Sequence, residues 1–199
     1  MRWQEHKIPH FLDVGTMTDG TVIQWAVVAG VSLAAAVCDF RTRRIPNALT
    51  VPAFAAGLLY ALWAAGASGF ADAVKVSVLL ALPFILLFLF SHGGAGDAKL
   101  MGAVGAWLGL REGIVVLCSV LAAGLVLSLA TAVAKRRFKN VMANIFFMVY
   151  GFLLAFFTER RILPRVAERV QYNGEALTVP YGVAIFAGVC VGGIVIWLR

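Results

Sequence analysis

The stretch that decides the fold is residues 75–100, KVSVLLALPFILLFLFSHGGAGDAKL. A Leu- and Phe-rich run from about Asp72 to Phe90 gives way to the connector Ser91-His92-Gly93-Gly94-Ala95-Gly96, which leads into Asp97. Such a run reads as a helix in a membrane, with Lys75 snorkelling near its start. An acid directly beyond it sits at the edge of the hydrocarbon, where charge is costly, and is a functional candidate by default.

The same arrangement occurs upstream. The apolar run from Val22 to Cys38 is 17 residues long, roughly 25 Å as a helix and close to one hydrocarbon thickness. It ends in Cys38-Asp39-Phe40-Arg41-Thr42-Arg43-Arg44-Ile45-Pro46-Asn47. Ala34-Ala35-Ala36 mimics a signal-cleavage site, yet cutting there would detach Asp39 from its helix, so the helix is read as retained. Pro46 disfavours helix in the residue before it and can start the next one, while Asn47 can cap it, so 41–47 reads as a tight basic turn.

From this turn a second helix is expected over about Ala48–Ala65, closed by Gly66 to Gly69, followed by the Asp72–Phe90 helix. Beyond Lys99 and up to Ala134 the only charges are Arg111 and Glu112, which suits a hairpin with its tip at 109–113. Its first arm, Ala98–Leu110, is roughly 20 Å long and falls short of a full span. A last helix is expected over Pro180–Leu198. Residues 1–20 read as a polar tail, 21–199 as a single membrane-embedded domain, and 135–178 as a basic linker carrying the apolar segment 141–158.

Composition agrees. The chain is 61% hydrophobic and 14% charged, with mean hydropathy +0.89. A soluble domain of 199 residues keeps too large a surface to hide that much apolar area. The expected fold is all-α: a polytopic membrane helix bundle of about six transmembrane helices. The net charge of +7 does not point to nucleic acid, because no basic stripe is interleaved with exposed aromatics. Most of the 17 Lys and Arg, including Arg41, Arg43, Arg44, Lys99 and the run after Lys135, fall on one face when the helices alternate. The positive-inside rule makes that face cytoplasmic and puts the N-terminus outside. Charge asymmetry favours an interfacial or re-entrant 141–158, the alternative being a further span. Cys38, Cys118 and Cys190 form no C-x-x-C pair, so neither a zinc site nor a disulfide framework is expected, and no cofactor is implied.

Asp39 and Asp97 come from different connectors on that face, so bundle packing can bring them together. Two close carboxylates cannot both ionise and titrate as a pair. The ionised member can take a proton from water and the protonated member can hydrogen-bond a scissile carbonyl. The sequence leaves open which aspartate does which. Asp13, Asp19 and Asp72 fall on the opposite face.

Gly94-Ala95-Gly96-Asp97-Ala98-Lys99 resembles the G-x-G-D signature of the GxGD intramembrane aspartyl proteases. With the D-x-R-x-R-x-I-P-N pattern of 39–47, and with Pro180-Tyr181-Gly182 opening the last helix, the chain is similar to the prepilin peptidase family, in its short Tad/Flp-pilus branch. The resemblance implies an inner-membrane endopeptidase that removes the basic leader of Flp-like type IV prepilins at the cytoplasmic edge, after a glycine. It implies Asp39 and Asp97 as catalytic residues, the prepilin helix as main partner, and peptidase activity without the N-methylation of longer relatives. Gly94 and Gly96 would let a backbone approach closely, and Pro46 and Asn47 would shape the turn. Lys99 has two readings, contact with the site or anchoring among lipid headgroups, and anchoring is preferred; His92 is read as interfacial. The competing reading is a non-catalytic assembly protein or small ion-coupled transporter, since membrane acids also serve proton pathways. Against it, both acids sit at one edge and no internal repeat is evident. A GxGD protease with other clients is a third reading.

Overall fold

The computed structural model describes residues 19–91, 94–134 and 181–198, all of it helical apart from short turns. Five helices follow in order: α1 (Asp19–Thr42), α2 (Asn47–Ser91), α3 (Ala95–Trp107), α4 (Leu110–Ala134) and α5 (Tyr181–Trp197). The polar tail up to residue 18, His92, and the linker 135–178 with its apolar segment lie outside the described residues.

Among the described residues, three helices are long and apolar enough to cross a membrane, over Gly20–Thr42, Asn47–Phe88 and Leu110–Thr131. The second is broken. A straight helix the length of α2 would reach about 68 Å, twice a bilayer core of about 30 Å. At Gly66 the backbone takes φ 66 and ψ −154, a region essentially reserved for glycine. The chain folds back there, because Thr50, Val51 and Phe54 of the first arm line one cavity with Ala81, Ile85 and Phe88 of the second. Sequence reasoning has Gly66 to Gly69 closing one helix; instead Gly66 alone departs and helical structure resumes at once.

Helix α3 runs beside both arms. Trp107 donates its indole N–H to the Ala53 carbonyl at 2.9 Å and stacks on Tyr60 at 5.4 Å. On the other arm a Cβ at Gly105 would stand 2.8 Å from the Ser77 Cα, so only a residue without a side chain permits that approach. Small residues also seat α5 against α4. Gly188 and Gly192 face Val120 and Val116 while Gly124 faces Tyr181, which sets the two helices antiparallel. Close backbone approach of this kind is how helices associate where water supplies no hydrophobic drive. The core is a column of Val28, Leu80, Leu100, Met101, Val104, Val116, Ile185 and Val189. Outside it, large apolar side chains such as Trp63, Leu125, Val126 and Ile194 point outward, as a lipid-facing surface requires.

Candidate active site

Because the helix runs on past Cys38 to Thr42, Asp39 lies at the end of α1 as expected, inside its last turn. It is buried, with 8% of its surface exposed. The chain leaves α1 through Arg43, which takes the left-handed φ of 55 while its N–H still bonds the Asp39 carbonyl at 2.8 Å. The Thr42 hydroxyl donates to the Cys38 carbonyl at 2.8 Å, so the turn is locked by its own side chain. The Pro46 carbonyl then accepts the N–H groups of Leu49 and Thr50 and starts α2. Asn47, expected as a cap, reaches across to the second motif instead, where its side-chain oxygen accepts a hydrogen bond from the Lys99 ammonium at 2.9 Å.

That bond ties the two motifs together, and Gly96 does the same by packing. A Cβ there would meet the Ile45 Cβ at 3.0 Å. Gly94 precedes α3 in the left-handed conformation, φ 94, and its carbonyl accepts the Asp97 and Ala98 N–H groups at 2.9 and 3.2 Å. The Asp97 carboxyl folds back over Gly94, so that a Cβ at 94 would lie 2.8 Å from Oδ2. Both constraints select glycine, one for backbone conformation and one for space.

Asp97 thus belongs to the first turn of α3, at the edge of the apolar region and outside the three spanning candidates. The N-terminus of α3 favours an anion by about 0.3–1 kcal/mol. The opposing effects win: burial first, and the neighbouring Asp39 carboxylate second, push the Asp97 pKa from 3.8 to about 7. The two acids are therefore near enough to sense each other, and Lys99 is not among the groups that shift Asp97. No described residue donates a hydrogen bond to the Asp97 carboxyl.

Asp39 is held differently. Its Oδ2 accepts the main-chain N–H of Gly182, in the first turn of α5, at 2.8 Å. A hydrogen bond to a charged group contributes about 1.5–3 kcal/mol. The N-terminus of α5 also offsets the unfavourable C-terminal end of α1. A Cβ at 182 would stand 2.8 Å from the Asp39 Cβ. Next to it, Tyr181 packs edge-on against Phe84 at 5.9 Å and lies within electrostatic reach of Asp97. Sequence reasoning singles out Pro180-Tyr181-Gly182 without giving it a contact; the signal is a small residue opening an apolar helix.

A separate cavity of about 420 Å³ is lined by both arms of α2 and by Ala95, Ala98 and Lys99. At 3.6 residues per turn these three lie roughly 100–200° around α3 from Asp97, so this groove is on the far side of α3 from the acids. Among the described residues no cluster of His, Cys, Asp and Glu is placed to hold a metal, and the three cysteines are free.

Two curated relatives match, both prepilin leader peptidase/N-methyltransferases, from Burkholderia pseudomallei strains 1026b and K96243. Each is 35% identical over 115 residues, covering 54% of this chain. The chain spans only 37% of the length of those relatives. No solved structure matches. The Type IV leader peptidase family matches residues 26–133, which contain Asp39, Asp97 and the turn that packs between them, and the chain belongs to that family.

Proposed function

We propose that this protein is an aspartic endopeptidase of the bacterial inner membrane that removes the basic leader from Flp-like type IV prepilins. The observation that carries the reading is the approach of a buried acid, Asp39, and a half-buried one, Asp97, from separate helices, the latter with its pKa near 7. A shared-proton carboxylate pair activates water without a metal. One carboxylate takes a proton from water, whose oxygen adds to the scissile carbonyl carbon, while the other delivers its proton to the carbonyl oxygen. On collapse the first returns its proton to the leaving nitrogen and the second recovers one from a hydroxyl, so both start the next cycle unchanged.

Six crossings are counted in this reading: α1, the two arms of α2, the short α3, α4 and α5. The acids stand at the rim of these crossings rather than within the hydrocarbon. The site end carries Arg41, Arg43, Arg44 and Lys99, and the positive-inside rule supports a cytoplasmic position for it. The prepilin's apolar helix is the partner within the bilayer. A transporter reading is disfavoured because a coupling acid belongs near the midplane, whereas Asp39 and Asp97 stand at helix ends.

The test is processing of a co-expressed Flp-type prepilin by wild type, Asp39→Asn and Asp97→Asn at matched protein levels. Asparagine keeps the shape and removes the ionisable group. Processing by wild type, with loss of about 100-fold or more in each variant, is the expected result. Undiminished processing in either variant sinks the two-acid mechanism. A wild type that cleaves no prepilin points to other clients or to transport.

A further inference from the structure

The pair is not symmetric. Asp39 receives the Gly182 N–H at 2.8 Å and faces the N-terminal turn of α5, so its Oδ2 is held as a hydrogen-bond acceptor. The Asp97 carboxyl receives no hydrogen bond from a described residue and rests over the bare Cα of Gly94. The other ionisable groups at this end are few among the described residues. Tyr181 comes from α5 and Lys99 from α3, turned toward Asn47. Cys38 precedes Asp39 on α1, and Arg41, Arg43 and Arg44 are exposed beyond it. The described part of α2 brings no ionisable residue to this end.

We infer that Asp39 is the general base and Asp97 the proton donor, and that the Gly182 main-chain amide is the positioning group that fixes this order. The inference rests on the peptidase reading above. Burial and the neighbouring Asp39 carboxyl, which raise Asp97 to about 7, act in the same direction by keeping a proton on Asp97 near neutral pH. Cleavage should fall on the basic side as Asp97 gives up its proton.

The experiment is single-turnover cleavage of a prepilin by the full chain across pH, comparing wild type, Asp39→Asn, Asp97→Asn and Gly182→Ala. An amide at 97 still offers an N–H to the carbonyl, whereas an amide at 39 leaves no base. General-base catalysis contributes about 100- to 10,000-fold. Asp97→Asn should therefore retain at least about tenfold more activity than Asp39→Asn, and should lose the basic limb. Gly182→Ala, whose Cβ would stand 2.8 Å from the Asp39 Cβ, should lower kcat with little change in KM. Equal loss in both asparagine variants, greater residual activity in Asp39→Asn, or a basic limb surviving in Asp97→Asn overturns the assignment. An unchanged kcat for Gly182→Ala, or a KM that rises as kcat falls, overturns the role of Gly182.

As a readout independent of turnover, the infrared band of a protonated carboxyl should titrate near 7 and vanish in Asp97→Asn. Its survival there also overturns the inference. Wild type failing on every prepilin fails the peptidase reading, and the infrared titration still decides which acid holds the proton.

Discussion

The two ends of the bundle treat their acids in opposite ways. At the end where α2 reverses, Asp72 and Lys75 form an ion pair at 3.1 Å with relative exposures of 52% and 75%. Water solvates both, and an exposed pair of this kind contributes about 0–1 kcal/mol. At the other end Asp39 and Asp97 are drawn inward within reach of each other's charge, and no described cation pairs with Asp97. Folding gains nothing from leaving Asp97 so poorly compensated beside Asp39. An acid at a membrane edge is easily neutralised by a neighbour one helical turn away, as Asp72 shows. That the described residues around Asp97 supply no such neighbour is the informative fact.

Replacing the acids tests this contrast most strongly. The folded state raises the Asp97 pKa from 3.8 to about 7, so between those values it binds more protons than the unfolded chain. Stability then declines as pH rises through that window and stays low above it. Asp97→Asn removes the penalty and should stabilise the protein by about 2–4 kcal/mol above neutral pH, seen as a higher melting temperature in detergent. A lower melting temperature would mean that Asp97 supports the fold.

Gly94→Ala probes the same end through its backbone. A side chain in the left-handed region costs about 1–2 kcal/mol, and the added Cβ would push Asp97 from its place. Misplacement by about 1 Å can cost on the order of 100-fold in rate, so prepilin cleavage should fall by about 10- to 100-fold. Lys99→Met removes the exposed bond to Asn47 and should cost about 0.5–1.5 kcal/mol, with a loss of cleavage below about tenfold. Asp72→Asn completes the contrast: both stability and cleavage should stay within about 0.5 kcal/mol of wild type. A large effect of Asp72→Asn would erase the distinction between the two ends.

The acids were legible because charge is rare and costly beside long apolar runs, and because each stands in a motif with its own chemistry. The all-helical architecture was legible from the same runs, as was the break near Gly66. Boundaries were less so. Asp39 and Asp97 were expected at the end of one helix and the start of another and stand there, but α1 extends to Thr42 rather than Cys38 and α3 begins at Ala95 rather than Ala98. Those ends are fixed by particular contacts, the Thr42 hydroxyl on Cys38 and the seating of Gly96 on Ile45, which helix propensity does not encode. Asn47 was misjudged for a related reason, since its partner Lys99 is 52 positions away. Gly182 was the hardest to assign, because a main-chain donor leaves no mark in the side-chain alphabet.

The contact between Gly182 and Asp39 joins residues 143 positions apart. During synthesis α1 enters the membrane early and α5 late, so Asp39 spends most of that interval without the amide that completes its surroundings. A partly made chain carries both acids but lacks their finished setting. The setting of Asp39 is thereby completed by a segment made well after both acids, and the order of insertion of α1 and α5 becomes part of how the carboxyl pair is assembled.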